Sequence, residues 1–394
     1  MTRALVVIDG EHLAPVVRDA IAELPYEVVG AWLAGGTEKL RGGEDYGVPL
    51  VPGFEDGLAA ADLVVDLSDE PVLGPRERFL LASRALAAGL RYEGADFRFE
   101  PPPYAPFPLP SLAVIGTGKR VGKTAVTGHL ARLLARDRDV VVVAMGRGGP
   151  AEPEVVEVRP TLTSLVEISR AGGHAASDYL ETAALTGVVT VGCRRAGGGL
   201  AGAVSSSNVL EGAALAAERE PDVVLFDGSG AAIPPVETDS RILVSGSQHD
   251  PLGYLNPYRI LVSDAVVLVG GGDADAVRRI KQLPVLTATL RLRPLEALRG
   301  RRVSVFTTGP APTDQLDAEI VSVSRNLADR PRLSEDLRHT DADVYLVELK
   351  AAAIDLVAAA ALERGVEVVF AENEVVCREL DELAPKLAPA RTHA

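Results

Sequence analysis

At 394 residues the chain is too long for one ordinary core, and its 47% apolar content suffices to fill two or three. Its 40 basic against 55 acidic residues give a net charge of −15, spread along the chain, which argues against nucleic acid or an anionic membrane as partner. Two cysteines, Cys193 and Cys377, exclude a disulfide framework, acids at Asp9 and Glu11 interrupt any signal-like start, and no apolar run approaches the ~20 residues of a membrane span, so a soluble, cytoplasmic protein is expected.

In chain order, short β-branched runs alternate with helical stretches, the pattern of a parallel α/β architecture. A first unit has strand-like Ala4–Ile8, Val28–Leu33 and Leu63–Asp66, with helix-like Ala14–Leu24 and Pro75–Gly89. Its first strand runs into Asp9-Gly10-Glu11-His12, with Arg18 onward, a strand-end position where His12 is either a phosphate-facing group or structural. A proline-rich stretch over 101–110 continues neither a helix nor a central strand and separates residues 1–100 from a second domain, 111–300.

That domain opens with strand-like Leu112–Ile115, followed by Gly116-Thr117-Gly118-Lys119-Arg120-Val121-Gly122-Lys123-Thr124 and a helical run from Ala125 to Ala135. An apolar strand, a glycine turn and a helix N-terminus together make a phosphate cradle. Lys123 is placed to reach the β- and γ-phosphates and Thr124 to bind Mg²⁺. Two of the six lysines, Lys119 and Lys123, fall in this loop. The usual P-loop has glycine where Thr117 stands; the pattern Gly-Thr-x-x-x-Val-Gly-Lys-Thr resembles the ATP loop of dethiobiotin synthetases.

Further strands are expected at Val140–Ala144, Val188–Val191, Val223–Phe226, Arg241–Val244 and Ala265–Val269. Asp227, after four apolar residues and before Gly228-Ser229-Gly230, is the expected Mg²⁺ carboxylate, with Glu154 as an additional metal contact. Arg147, and Arg194 with Arg195, sit in glycine-bearing turns after strands. In an open α/β sheet such turns line the ligand cleft, so an acidic protein gathering arginine there points to an anionic substrate. His249 and Asp250, and then Tyr254, Asn256 and Tyr258, occupy a further strand-end loop where a base or partner contact stays open beside a structural role. A third α/β domain, 301–394, is expected to have strands Val303–Thr307, Val344–Val347 and Val366–Phe370, helix Ala351–Arg364, and a frayed end after Ala384.

The opening Val7–His12 with Arg18, the loop Gly116–Thr124, the turn Met145–Pro150 and the turn Gly192–Gly199 together resemble the cyclic 2,3-diphosphoglycerate synthetases. That resemblance implies a P-loop NTPase core flanked by smaller α/β domains, and Mg²⁺- and ATP-dependent closure of 2,3-bisphosphoglycerate. It implies ATP at Gly116 through Ala125, Mg²⁺ at Thr124, Asp227 and Glu154, and phosphoryl transfer at Lys123, Lys119 and Arg147. Substrate contacts fall to His12, Arg18, Arg147, Arg194 and Arg195, and a homodimer is plausible by analogy with P-loop relatives. The alternatives are another ligase or small-molecule kinase of the dethiobiotin synthetase type, and a regulatory P-loop ATPase. Against the last, those ATPases carry lysine where Gly118 stands here.

Overall fold

A computed structural model describes residues 1–36, 39–309, 312–349 and 353–389. Among them are two sheets, one five-stranded and one thirteen-stranded. The smaller sheet runs Glu27–Leu33, Arg3–Ile8, Leu63–Asp66, Arg91–Glu93, Arg98–Phe99, parallel until its last pair. Side chains alternate across a strand, and the first strand shows it. Ala4, Val6 and Ile8 pack with Val17 and Ile21 of helix Ala14–Glu23 on one face. Leu5 and Val7 join the core that includes Leu81 and Ala85 of helix Pro75–Ala87 on the other.

That second face is where the first domain meets the second. Helix Pro75–Ala87 packs against helix Asn256–Leu261. The proline-rich connector is laid along the second domain: Tyr104 and Tyr258 share a hydrogen bond of 2.9 Å, and Phe107 stands edge-on to Phe226 at 5.1 Å.

The larger sheet holds Val189–Ala196, Val140–Gly146, Val223–Asp227, Ser111–Gly116, Ser240–Gly246 and Ala265–Val269 side by side and all parallel. Helices cover both faces, so these strands read as continuous apolar runs with no alternation. Strand Val285–Pro294 then does two jobs. Its first residues pair in parallel with Val266–Val269, and from Thr289 onward it pairs antiparallel with Glu367–Val376. The sheet therefore continues through Glu367–Val376 into Val344–Glu348, Arg302–Phe306 and Glu319–Ser324, and the last two domains share it. The end of the chain folds back further: Leu349, Ile354 and Ala358 share a buried cluster with Leu165, Leu180 and Ala183.

Two expectations change here. The helix expected over 351–364 has its first two residues outside the described ones; the rest is a wide π turn, Ala353–Ala358, continued by α-helix Ala359–Arg364. Among the described residues, which end at 389, the chain does not fray after Ala384. Helix Arg378–Leu387 buries Leu380 and Ala384 against Leu130 and Leu134, and the Leu387 and Ala388 carbonyls accept from Ser240 and Arg138. Buried apolar contacts and carbonyls with partners hold a terminus that composition alone suggests is loose.

Candidate active site

Strand Ser111–Gly116 is wholly buried between Val223–Asp227 and Ser240–Gly246, so its carboxyl end opens in mid-sheet. The following loop is fastened to the neighbouring strand: Thr117 N donates to the Val244 carbonyl at 3.0 Å and its hydroxyl to Ser245 Oγ at 3.2 Å. Helix Lys123–Leu134 starts at Gly122, where φ is +90° and a β-carbon would stand 3.1 Å from Val269. Only glycine takes that conformation without strain. No side chain caps this helix, which leaves its first N–H groups and dipole to an anion.

Lys123 and Asp227 meet beneath the loop, Nζ to Oδ1 at 2.6 Å, and the Thr127 hydroxyl donates to the same oxygen at 2.9 Å. Asp227 Oδ2 is enclosed and has no partner. Burial pushes the Asp227 carboxyl above its ordinary range, the Lys123 ammonium opposes that, and the negative charge of Asp178 adds to it. An orphaned carboxylate oxygen on Asp227, whose other oxygen meets Lys123 at the start of the helix that carries Thr124, is a hard-oxygen donor that fits Mg²⁺. Among the described residues no group of three His, Cys, Asp or Glu forms a metal cage. A Mg²⁺ held largely by phosphate and water needs none.

The basic turns divide. Arg195 reaches across to the loop after Asp227, donating from Nη2 to the Ser229 carbonyl at 2.8 Å, while its Nε is buried without a partner. Burial lowers its affinity for the proton, the nearby Arg147 guanidinium lowers it further, and Asp178 opposes both. Arg194 is exposed, its backbone N–H donating to Asn208 at 2.7 Å. Adjacent strand residues point to opposite faces, so Arg195 turns toward the loop after Asp227 and Arg194 turns away from it. The Glu154 carboxylate accepts from Tyr179 at 3.0 Å, and nothing ties it to Asp227.

Three functional-looking residues escaped the sequence reading. Asp178, at the start of helix Asp178–Thr186, stands with Oδ2 3.1 Å from where a β-carbon on Gly146 would be, within electrostatic reach of both Asp227 and Arg195. His174 lies over Gly148, 3.3 Å from its β-carbon position. Their only sequence signal is an acid at a helix start and a loop histidine, and both patterns are ordinary. Arg259, 2% exposed, donates to the Ala231 and Leu200 carbonyls and so pins the loops on both sides of Arg195; burial pushes it down to about 10.

Other expected positions lie elsewhere. His12 is held by Asp9 at 2.9 Å and Arg18 by Asp45 at 3.3 Å, both in the first domain, with no contact to the glycine loop. Tyr258 is buried against Tyr104 and Asn256 donates to the Asp250 carbonyl, so both serve structure. Tyr254 packs on Phe79 of the first domain, ring centroids 5.9 Å apart.

Family models of cyclic 2,3-diphosphoglycerate synthetase match the chain in three parts: the N-terminal domain over 3–100, the P-loop domain over 111–286 and the C-terminal domain over 294–374. The chain is 48% identical to the cyclic 2,3-diphosphoglycerate synthetase of Rubrobacter xylanophilus across 98% of its length and 97% of that protein's. It is 41% identical to that of Thermococcus kodakarensis, covering 94% of each, and 37% identical to that of Methanothermus fervidus, covering 94% and 92%.

Proposed function

The chain belongs to the cyclic 2,3-diphosphoglycerate synthetase family, and from this we propose that it uses MgATP to close 2,3-bisphosphoglycerate into cyclic 2,3-diphosphoglycerate, releasing ADP and phosphate. One observation favours a polyanionic acceptor above all. Arg195 Nη2 and Lys119 both line Gly230 beside the phosphate loop, Arg195 has a buried unpartnered Nε, and the positive charge of Arg147 lowers its proton affinity. Like charges at close range are unfavourable until an anion joins them, and 2,3-bisphosphoglycerate carries two phosphates and a carboxylate.

The chemistry then divides among residues. The amides of Gly116 through Ala125 and the helix N-terminus cradle the nucleotide phosphates. Lys123 exchanges its Asp227 partner for the β- and γ-phosphates, and Lys119 adds charge where the phosphoryl group moves. Thr124 and Asp227 hold Mg²⁺, which neutralises phosphate charge when bound, and Asp178 is the second carboxylate near enough to serve it, a better-placed one than Glu154. Arg147 and Arg195 grip the acceptor, with Arg194 at the rim. In the first step an acceptor phosphate oxygen bonds to the γ-phosphorus and the β–γ bond breaks, leaving ADP. In the second, the neighbouring phosphate oxygen attacks the acceptor phosphorus now carrying that group, the ring closes and inorganic phosphate leaves. Tethering makes the ring closure effectively concentrated, a gain reaching ~10⁵ M or more in well-oriented systems. His12 and Arg18 join only if the first domain closes on the second. We read the protein as a cytoplasmic homodimer by likeness to P-loop relatives; light scattering that returns a monomer mass removes the dimer.

The decisive experiment is phosphorus NMR of purified protein with MgATP and 2,3-bisphosphoglycerate. One cyclic product should form per ADP, and Lys123→Ala should abolish it. ADP appearing without cyclic product would refute the assignment.

A further inference from the structure

Three of the histidines with described side chains are engaged by carboxylates: His12 by Asp9, His129 by Asp381 and His339 by Glu335. His174, exposed over Gly148, and His249 are not, and of these two only His249 is half-buried. Its half-buried ring has no hydrogen-bond or ion-pair partner among the described residues, and it lies against the phosphate loop. A β-carbon on Gly118 would stand 2.9 Å from its Cε1 and 3.1 Å from its Nδ1, closer than packing tolerates. The glycine there makes room for this imidazole.

The backbone that carries the ring is also held in place. The His249 N–H donates to the Gly246 carbonyl at 2.9 Å, closing a turn straight off strand Ser240–Gly246. The next residue, Asp250, accepts from Leu252 N at 2.9 Å and, through its carbonyl, from Asn256 Nδ2 at 3.1 Å. Beyond that, Tyr254 takes φ +50° and rests on Phe79 of the first domain. A polar ring on a backbone fixed on both sides, with no nitrogen partner among the described residues, at the carboxyl end of a strand bordering the loop is placed for a ligand.

Strand order says which part of the ligand. The loop strand Ser111–Gly116 has Asp227's strand on one side and His249's on the other. Asp227, with its partner Lys123, and Arg195 therefore lie on one side of the loop strand and His249 on the opposite side. Resting on the ATP-dependent reading above, we infer that His249 is a substrate-contacting residue of the phosphoryl-transfer step, donating a ring N–H to the phosphoryl group as it passes from ADP to the acceptor. A donor to a charged group in flight affects turnover more than it affects binding of a product that lacks that group.

The test uses the full-length protein with His249→Ala and His249→Gln, scored by cyclic product formation and by calorimetric binding of MgADP. Alanine should lower kcat about 10- to 100-fold, the range for one hydrogen bond to a charged partner, while MgADP affinity stays within about twofold. Glutamine, which keeps an N–H donor and most of the volume, should recover part of the rate. Turnover of the alanine variant within about twofold of the parent would overturn the inference. So would a fall in MgADP affinity as large as the fall in kcat, since the ring would then only prop the loop. If alanine fails to fold, His249→Leu, which fills the space without a donor, decides: a kcat lowered at least about tenfold at parental MgADP affinity supports the donor role, and parental turnover or a matched loss of both overturns it. A parent protein that makes no cyclic product condemns the reaction assignment instead, a separately visible result.

Discussion

Asp227 has one oxygen that is shared by Lys123 and Thr127 and one that none of the described residues claims. A fully buried carboxylate in that condition is costly when ionised, and its raised proton affinity expresses the cost. A cation at Oδ2 favours the charged form, so it lowers the raised value and drives the proton off wherever the carboxyl was protonated. MgATP binding should therefore release protons below the raised pKa, release none well above it, and weaken as pH falls through it. Calorimetry in two buffers of different ionisation enthalpy measures this directly, and Asp227→Asn should erase both the proton release and most of the magnesium dependence. The variant also leaves Lys123 buried without its counter-charge, so a loss of stability of about 3–5 kcal/mol is expected alongside. Proton release that survives the substitution would move the metal ligand elsewhere, with Asp178 the first place to look.

A loop works as an anion site only if its backbone takes the right turn, and Gly122 is where that demand is sharpest. With φ at +90° and Val269 close to the β-carbon position, Gly122→Ala forces backbone strain and crowding together. A non-glycine residue held in such a conformation costs about 1–3 kcal/mol. The variant should lose nucleotide affinity by at least tenfold and lower the melting temperature by a few degrees; unchanged nucleotide binding would mean the helix N-terminus is not the cradle. This element was legible in the sequence because everything it needs is local: strand, glycines, lysine and helix lie within 24 residues of one another. Asp227 was legible for the same reason, as an acid closing a buried run. Asp178 and His174 were not, because they meet the site by tertiary packing across from Gly146 and Gly148, and nothing local distinguishes an acid at a helix start. Arg194 and Arg195 were read as one grip, yet strand geometry turns them apart, a distinction that depends on knowing the strand runs through both. Strand Val285–Pro294 hid its double pairing similarly, since its apolar first half and alternating second half belong to different neighbours.

At the scale of the molecule, that strand decides how the protein unfolds. The sheet crosses from the P-loop domain into the last domain without a break, and helix Arg378–Leu387 returns to lie on the helix that begins at Lys123. His129 with Asp381 at 2.6 Å and Arg132 with Glu372 at 2.5 Å add polar ties along the same seam. Removing residues 378–394 would expose Leu130, Leu134, Leu380's vacated contacts and the Arg138 side chain at once. At about 25 cal/mol per Å² of apolar surface, losing even two buried leucine contacts amounts to several kcal/mol. The truncated protein should therefore melt well below the parent and bind MgATP poorly, although every loop residue is retained. Calorimetric unfolding of the parent should show residues 111–389 melting as one cooperative unit. The first domain, joined through a connector and one helical face, has its own sheet and is free to form a second transition. Two separate transitions dividing near residue 300, with parental nucleotide binding in the truncated form, would mean that the shared sheet is no mechanical link and that the terminal helix is dispensable to the cradle it covers.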